Sequence, residues 1–413
     1  MTVPVDAERV TQELEVLAQF SDAPAPAVTR IVFSSSDMRA RAWLKSLFVA
    51  AGLRLREDAV GNVFARWEGS APQAPAVATG SHIDAIPNSG GYDGTVGVLG
   101  GLEAIRALQR SAFQPRRSIE LIVFTSEEPT RFAIGCLGSR LLSGTLSPEK
   151  AAPLKDREGK TLDEIRQQAG FSGALDEVRL PAGAYRSFIE LHIEQGPVLE
   201  QTSIGIGVVT DIAAPASLRV TIRGEGGHAG AVLMPDRRDA LLGAAEIALA
   251  VESAALTTGV RDSVATTGVC DVYPGAVNSI PSQVKLEIDV RDTDLARRET
   301  MVRMIATACS DVAAKRGLEI TCEVLNADAP AQCDPLAVDA IIRACEAVRS
   351  RYSRLVSRAY HDALFMSRVA PTGMIFIPCR RGVSHRPDEY ASPEDISRGV
   401  SVLAHTLADL SNQ

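Results

Sequence analysis

The sequence predicts an α/β protein: a mixed, mostly parallel sheet flanked by helices, interrupted by a smaller inserted α+β domain. Three observations carry that expectation. Over the first third of the chain, short β-branched runs alternate with amphipathic segments, the rhythm of βαβ units. Between 212 and 328 the strands instead alternate apolar and polar residues, as in a sheet with one open face. From 329 the α/β character returns. At 413 residues the chain is also too long for one core. The expected division is a discontinuous domain, 1–211 with 329–413, and an inserted domain, 212–328.

Each element has its own signal. Residues 36–52, "SDMRARAWLKSLFVAAG", open on Ser-Asp and close on Gly, as an amphipathic helix does. "AVATGSHID" (76–84) reads as a strand, "GTVGVLGGLEAIRALQRS" (94–111) as a helix and "RSIELIVFTSEE" (117–128) as a second strand. Strand–helix–strand at this spacing is a βαβ unit, and ligands of such sheets sit beyond the carboxyl ends of the strands. The glycines of 94–101 lack the order and the lysine of a phosphate loop, so they are expected to allow close helix–sheet packing. In the inserted domain, "ASLRVTIRGEGG", "SQVKLEIDVRD" and "LEITCEVL" read as strands, with long helices in "DRRDALLGAAEIALAVESAAL" and "DLARRETMVRMIATACSDVAAKRG". A helix at 335–349, the strand-like "GMIFIPC" and a terminal helix at 393–411 complete the chain.

Composition narrows the function classes. Hydrophobic residues at 46% and charged residues at 23% are ordinary for a globular protein. The acidic, interrupted N-terminus "MTVPVDAERVTQELEVLAQF" argues against a secretory leader, and no run reaches bilayer-spanning length. Seven dispersed cysteines without a CxxC pair fit buried thiols in a reducing compartment, so a cytoplasmic location is expected. A net charge of -8 without a basic run gives no support for nucleic-acid binding.

The six histidines are placed informatively. His82 stands in "GSHID", His192 in "ELHIEQG", His228 in "GGHAG", His361 in "YHD" and His385 in "GVSHRPDEY"; His405, within the last helix, reads as structural. His82, Asp84, Asp93, Glu127, Glu128, His192 and His385 all fall at expected strand ends or loops of the larger domain. Imidazole with carboxylate is the ligand set of borderline divalent cations such as Zn, Mn or Co. The adjacent pair Glu127 and Glu128 ends an apolar run, where like charges are costly. Neighbours on an extended chain point to opposite faces, so one carboxylate can bind a cation while the other faces water.

These motifs, "GSHID", "GGYDG", "TSEEPTRF", "ELHIEQGP", "GGHAG", "NSIPS", "DVRD" and "SHRPDEY", together resemble the dinuclear-metal M20 peptidase-like amidohydrolases of the carbamoylase branch, over nearly the whole chain. Within the branch, "GGHAGAVLMPDRRDA", "SRAYHDALFMSR" and "GMIFIPCRRGVSHRPDEYASPED" are most similar to the ureidoglycolate amidohydrolase subgroup. The resemblance implies a metallopeptidase-like catalytic domain holding two divalent ions, Mn first, with Zn or Co as alternatives. His82 and His192 would hold one ion, Glu128 and His385 the other, and Asp93 would bridge. Asp84 would orient the His82 imidazole, and Glu127 would be the general base. His228 would stabilise an oxyanion across a homodimer formed by the inserted domain. Asn278 and Arg291 would bind a substrate carboxylate, with His228 and Arg291 supplied by the same partner chain. Gln195, Tyr360 and His361 would complete the substrate contacts. The implied substrate is a small ureido carboxylate: ureidoglycolate, or alternatively allantoate or an N-carbamoyl-L-amino acid. An M20 aminopeptidase or deacylase and a non-catalytic metal-dependent binding module stay open as other readings.

Overall fold

A computed structural model of the chain describes residues 3–181 and 183–413. Contacts divide it into two compact units, Met1–Thr210 with Gln332–Gln413, and Asp211–Ala331.

The first unit is built on a nine-stranded mixed sheet. Its centre is four parallel strands in the order Thr372–Ile377, Tyr185–Ile193, Ala76–His82 and Ile119–Phe124. Antiparallel strands extend both sides, Ile206–Ile212 on one and Val63–Trp67 with Arg54–Glu57 on the other. The parallel strands are buried on both faces, which is why they read as continuous apolar runs. The helix Thr95–Arg110 crosses between Ala76–His82 and Ile119–Phe124, and it is buried along most of its length. Its glycines sit against the sheet: a Cβ on Gly97 would lie 2.4 Å from the Leu191 carbonyl oxygen. Close packing, with no phosphate cradle, accounts for them.

The strand expected over 117–128 ends at Phe124. Glu127 and Glu128 therefore lie in a loop, and strand alternation does not separate them. Ser126, at φ +57°, turns the chain out of the extended conformation just before the pair.

The second unit is a four-stranded antiparallel sheet in the order Val264–Tyr273, Gln283–Asp292, Ala214–Arg223, Glu319–Ala327. The strand Val264–Tyr273 has no counterpart in the expectation from sequence. Its Thr- and Gly-containing run "VATTGVCDVY" buries little and carries a weak apolar signal. Helices Ala240–Thr257 and Leu295–Arg316 cover one face of the sheet, closing a core that includes Leu218, Val220, Leu286, Ile288, Met301 and Ile305. By length and a mean hydropathy of 1.5, Ala240–Thr257 meets the threshold for crossing a bilayer. Its buried stripe, Ala240, Gly243, Ala244, Ile247, Val251 and Ala254, makes it a core helix of this unit.

All seven cysteines are free; in contrast to the expected burial, Cys270 is exposed on the edge strand Val264–Tyr273 and Cys322 is half-buried.

Candidate active site

Each of the four parallel strands delivers residues to one edge of the sheet. Ala76–His82 ends in His82, and Ile119–Phe124 leads into Glu127 and Glu128. Tyr185–Ile193 carries His192 one residue before its end, and Thr372–Ile377 leads into the loop of His385. The helix that follows the first strand opens just after Asp93.

Asp93 is the hub. Its Oδ1 lies 3.5 Å from His82 Nε2 and 3.2 Å from His192 Nε2, while its Oδ2 lies 3.2 Å from His385 Nε2. Glu128 Oε1 is 3.3 Å from the same His385 nitrogen. Two donor sets result, His82–Asp93–His192 and Asp93–Glu128–His385, each with its ligand atoms within 4.8 Å of one another. A third set of that kind, Glu190–His192–His361, is already committed. Glu190 Oε1 accepts from Ser81 Oγ at 2.8 Å and Oε2 from the Ala363 N–H at 2.9 Å.

The donors are prepared for a cation. His82 Nδ1 is 3.1 Å from the Asp84 carbonyl and His192 Nδ1 2.9 Å from the Ile193 carbonyl. A carbonyl only accepts, so both Nδ1 atoms carry the hydrogen and both Nε2 lone pairs face Asp93. The Gly94 N–H points at the His192 Nε2 lone pair, 3.2 Å away. Gly94 itself is obligatory: its φ is +67°, and a Cβ there would lie 2.4 Å from His82 Nε2. The residues present thus fit divalent cations, with Asp93 able to face both.

The electrostatics point the same way. Burial pushes Asp93 up, but hydrogen bonds with His192, His385 and His82 outweigh it and hold the carboxyl well below its usual range. Hydrogen bonds to Asp93 and Glu128 push His385 up to about 11. Burial would lower His82 and His192, yet Glu127, Asp84 and Asp93 raise the first well above its ordinary value and Asp93 raises the second. This field draws positive charge onto the cluster. Burial pushes Glu127 well above the carboxylate range, opposed by His82 and reinforced by Glu128.

Asp84 meets the His82 ring, its Oδ1 lying 3.6 Å from His82 Nδ1, and takes on a second task. Its carboxylate accepts the backbone N–H of Glu127 at 3.1 Å and of Glu128 at 3.0 Å, while its carbonyl holds the His82 ring. Gln195, at φ +54°, donates to Asp93 Oδ2 at 2.7 Å. His361 is buried edge-to-face against His192, ring centroids 4.5 Å apart, and Tyr360 stacks on Phe365 beside Arg140.

In the second unit, His228 and Asn278 come together. His228 pairs with Ser279, and the Ala229 N–H donates to the Asn278 carbonyl at 2.9 Å. Both side chains are exposed. Arg291 is elsewhere, opposite Pro215 and Val264 at the far end of Gln283–Asp292. It is forked onto Asp289 at 2.7 and 3.2 Å. Asn278 and Arg291 of one chain therefore do not form a pair, and neither do His228 and Arg291. The length of an extended strand separates them.

Sequence reasoning missed Glu389, Ser384, Cys136, Glu190 and Asp362. Glu389 accepts the N–H groups of Tyr92, Asp93 and His385, together with Ser384 Oγ. It lies in "SHRPDEY", where the histidine drew attention and the later acid did not. Glu190, inside the buried run "FIELHI", carried a readable signal: a charge in a strand enclosed on both faces.

A buried carboxylate shared by three imidazoles at the carboxyl edge of a parallel sheet defines a metallohydrolase centre, and the chain belongs to a family of that kind. The model for peptidase family M20/M25/M40, a metal-dependent family, matches residues 78–409. The chain is 52% identical to a ureidoglycolate hydrolase of Arabidopsis thaliana, covering 99% of this chain and 88% of the relative. It is 38% identical to an N-carbamoyl-L-amino acid amidohydrolase of Geobacillus stearothermophilus, covering 98% and 99%. A crystal structure of AtUAH in complex with glyoxylate superposes with a TM-score of 0.90 at 52% identity, covering 99% of this chain and 98% of that one. AtUAH with (S)-hydroxyglycine also gives 0.90, at 51% identity and the same coverage.

Proposed function

We propose that this chain is a metal-dependent amidohydrolase that cleaves the ureido C–N bond of (S)-ureidoglycolate. The observation that carries the reading is Asp93 set between His82 and His192 on one oxygen and His385 on the other, with Glu127 and Glu128 alongside. The ureidoglycolate hydrolase relatives and the glyoxylate and (S)-hydroxyglycine complexes of AtUAH support the choice of substrate. Cleavage between the carbonyl carbon and the substituted nitrogen yields carbamate and (S)-hydroxyglycine, which break down to ammonia, carbon dioxide and glyoxylate.

Two divalent cations, Mn first, would be held by His82 and His192 on one side and Glu128 and His385 on the other, with Asp93 between. When bound, they supply Lewis acidity, which an amide carbonyl fed by two nitrogens needs to become electrophilic. Glu127 takes the proton of the attacking water and returns it to the leaving nitrogen. Asp84 fixes the start of both glutamates through their backbone N–H groups. The Tyr360 hydroxyl and the His361 ring face the substrate, and Gln195 adds a polar contact. His228 donates to the developing oxyanion, worth about 3 kcal/mol for a well-placed donor. Asn278 of one chain and Arg291 of the partner subunit receive the substrate carboxylate.

The protein acts as a cytoplasmic homodimer through the second unit. Leu241, Leu242, Leu249 and Leu256 are exposed on Ala240–Thr257, and Val264–Tyr273 is an edge strand with an open ladder. Both features favour a second copy. The test of the function is ammonia release from (S)-ureidoglycolate, allantoate and N-carbamoyl-L-amino acids side by side. Ureidoglycolate should be turned over fastest. Faster turnover of another substrate by orders of magnitude would reassign the activity within the family.

A further inference from the structure

Two adjacent glutamates share the site, and something must decide which binds a cation and which moves the proton. For Glu128 the neighbour is His385, 3.3 Å from its Oε1. For Glu127 it is a thiol. Cys136 Sγ lies 3.3 Å from Glu127 Oε1, and the Cys136 N–H donates to the Glu127 carbonyl at 2.7 Å.

The placement of Cys136 is unusual for a residue that merely fills space. It is the N-cap of the helix Leu137–Ser143, yet its side chain makes no cap bond to that helix. Its φ is +55°, in the left-handed region that non-glycine residues seldom occupy. A side chain kept there despite backbone strain points to a role. Cys136 and Glu127 are both buried. Burial, then the Glu127 and Asp362 carboxylates, push the thiol well above its ordinary range, so the proton stays on sulfur and the S–H donates.

We propose that Cys136 is a positioning residue whose thiol pins Glu127 Oε1, holding this carboxylate out of the metal shell and in the orientation of a base. The bond occupies Oε1 and leaves Oε2, 3.8 Å from His82 Nε2, to take the proton. Without it, Glu127 can rotate toward the cations its charge attracts and become a further ligand. The inference rests on Glu127 being the base of the reaction proposed above.

Cys136→Gly removes the thiol and suits the backbone at φ +55°, so its fold is expected to persist. Cys136→Ser keeps a donor. Both are compared with wild type and Glu127→Gln for kcat, KM and Mn2+ affinity by equilibrium dialysis. Cys136→Gly should lower kcat at least about tenfold, with KM little changed and Mn2+ held as tightly as in wild type or more so. Cys136→Ser should recover most of the loss. Wild-type kcat in Cys136→Gly, equal losses in both variants, or weakened Mn2+ binding in Cys136→Gly would each overturn the inference. The two levels separate cleanly: an active Glu127→Gln overturns the base and this inference with it. An inactive Glu127→Gln beside a fully active Cys136→Gly overturns the inference alone.

Discussion

Glu389 Oε1 accepts the backbone N–H of Asp93 at 3.0 Å, joining two residues 296 positions apart in the chain. The same carboxylate accepts from Tyr92, Ser384 and His385, so it ties the hub of the site to the loop that brings the last imidazole. All four partners are donors, and only an acceptor satisfies them.

Glu389→Gln turns an amide NH2 toward two of those donors. Because partners behind the ligands tune metal affinity, the variant should bind Mn2+ about 10–100-fold more weakly. Equilibrium dialysis reads this directly. Unchanged affinity would mean that Glu389 only fills the loop.

Metal binding should release protons. Hydrogen bonds to Asp93 and Glu128 raise His385 to about 11, so at neutral pH it carries a proton that a cation must displace. Affinity therefore rises with pH and falls on acidification, by about tenfold per pH unit for each proton displaced. Calorimetry in buffers of different ionisation enthalpy counts the protons released. A pH-independent affinity between 6 and 8 would contradict the proton-loaded cluster.

The second unit sets up a complementation test. Arg291 lies roughly 26 Å further along its strand than Gln283, counting ~3.3 Å per residue, whereas His228 pairs with Ser279 just before that strand begins. One chain cannot bring both groups to a single small substrate. In a homodimer, a site would take one from each chain. Mixed His228→Ala and Arg291→Ala proteins should then regain about a quarter of wild-type turnover, since half the dimers are mixed and each has one intact site. No recovery above either parent would place both groups on the same chain.

Much of this was legible in the sequence because it rests on local signals. The buried parallel strands announce themselves as continuous apolar runs, and the cluster residues stand at their ends, where "GSHID" and "ELHIEQG" interrupt the apolar pattern. The reading failed where a contact depends on chain turns or on distant pairing. Glu127 and Glu128 read as strand residues, but the strand ends at Phe124, Ser126 turns the chain, and Asp84 anchors both backbone N–H groups from 43 and 44 residues away. Glu389 answers to Asp93 across most of the chain. Cys136 gave no motif at all, because its meaning lies in one positive φ and one thiol contact. Asn278 and Arg291 look like neighbours in function, yet an extended strand holds them apart.

The most direct measurement is turnover of (S)-ureidoglycolate by Glu127→Gln, with metal content determined on the same sample. The substitution keeps shape and removes the proton acceptor, and Glu127 stands outside both donor sets. Full metal occupancy with activity lower by at least about a hundredfold is the expected result. Near wild-type turnover at full occupancy would contradict a division of labour between the two glutamates.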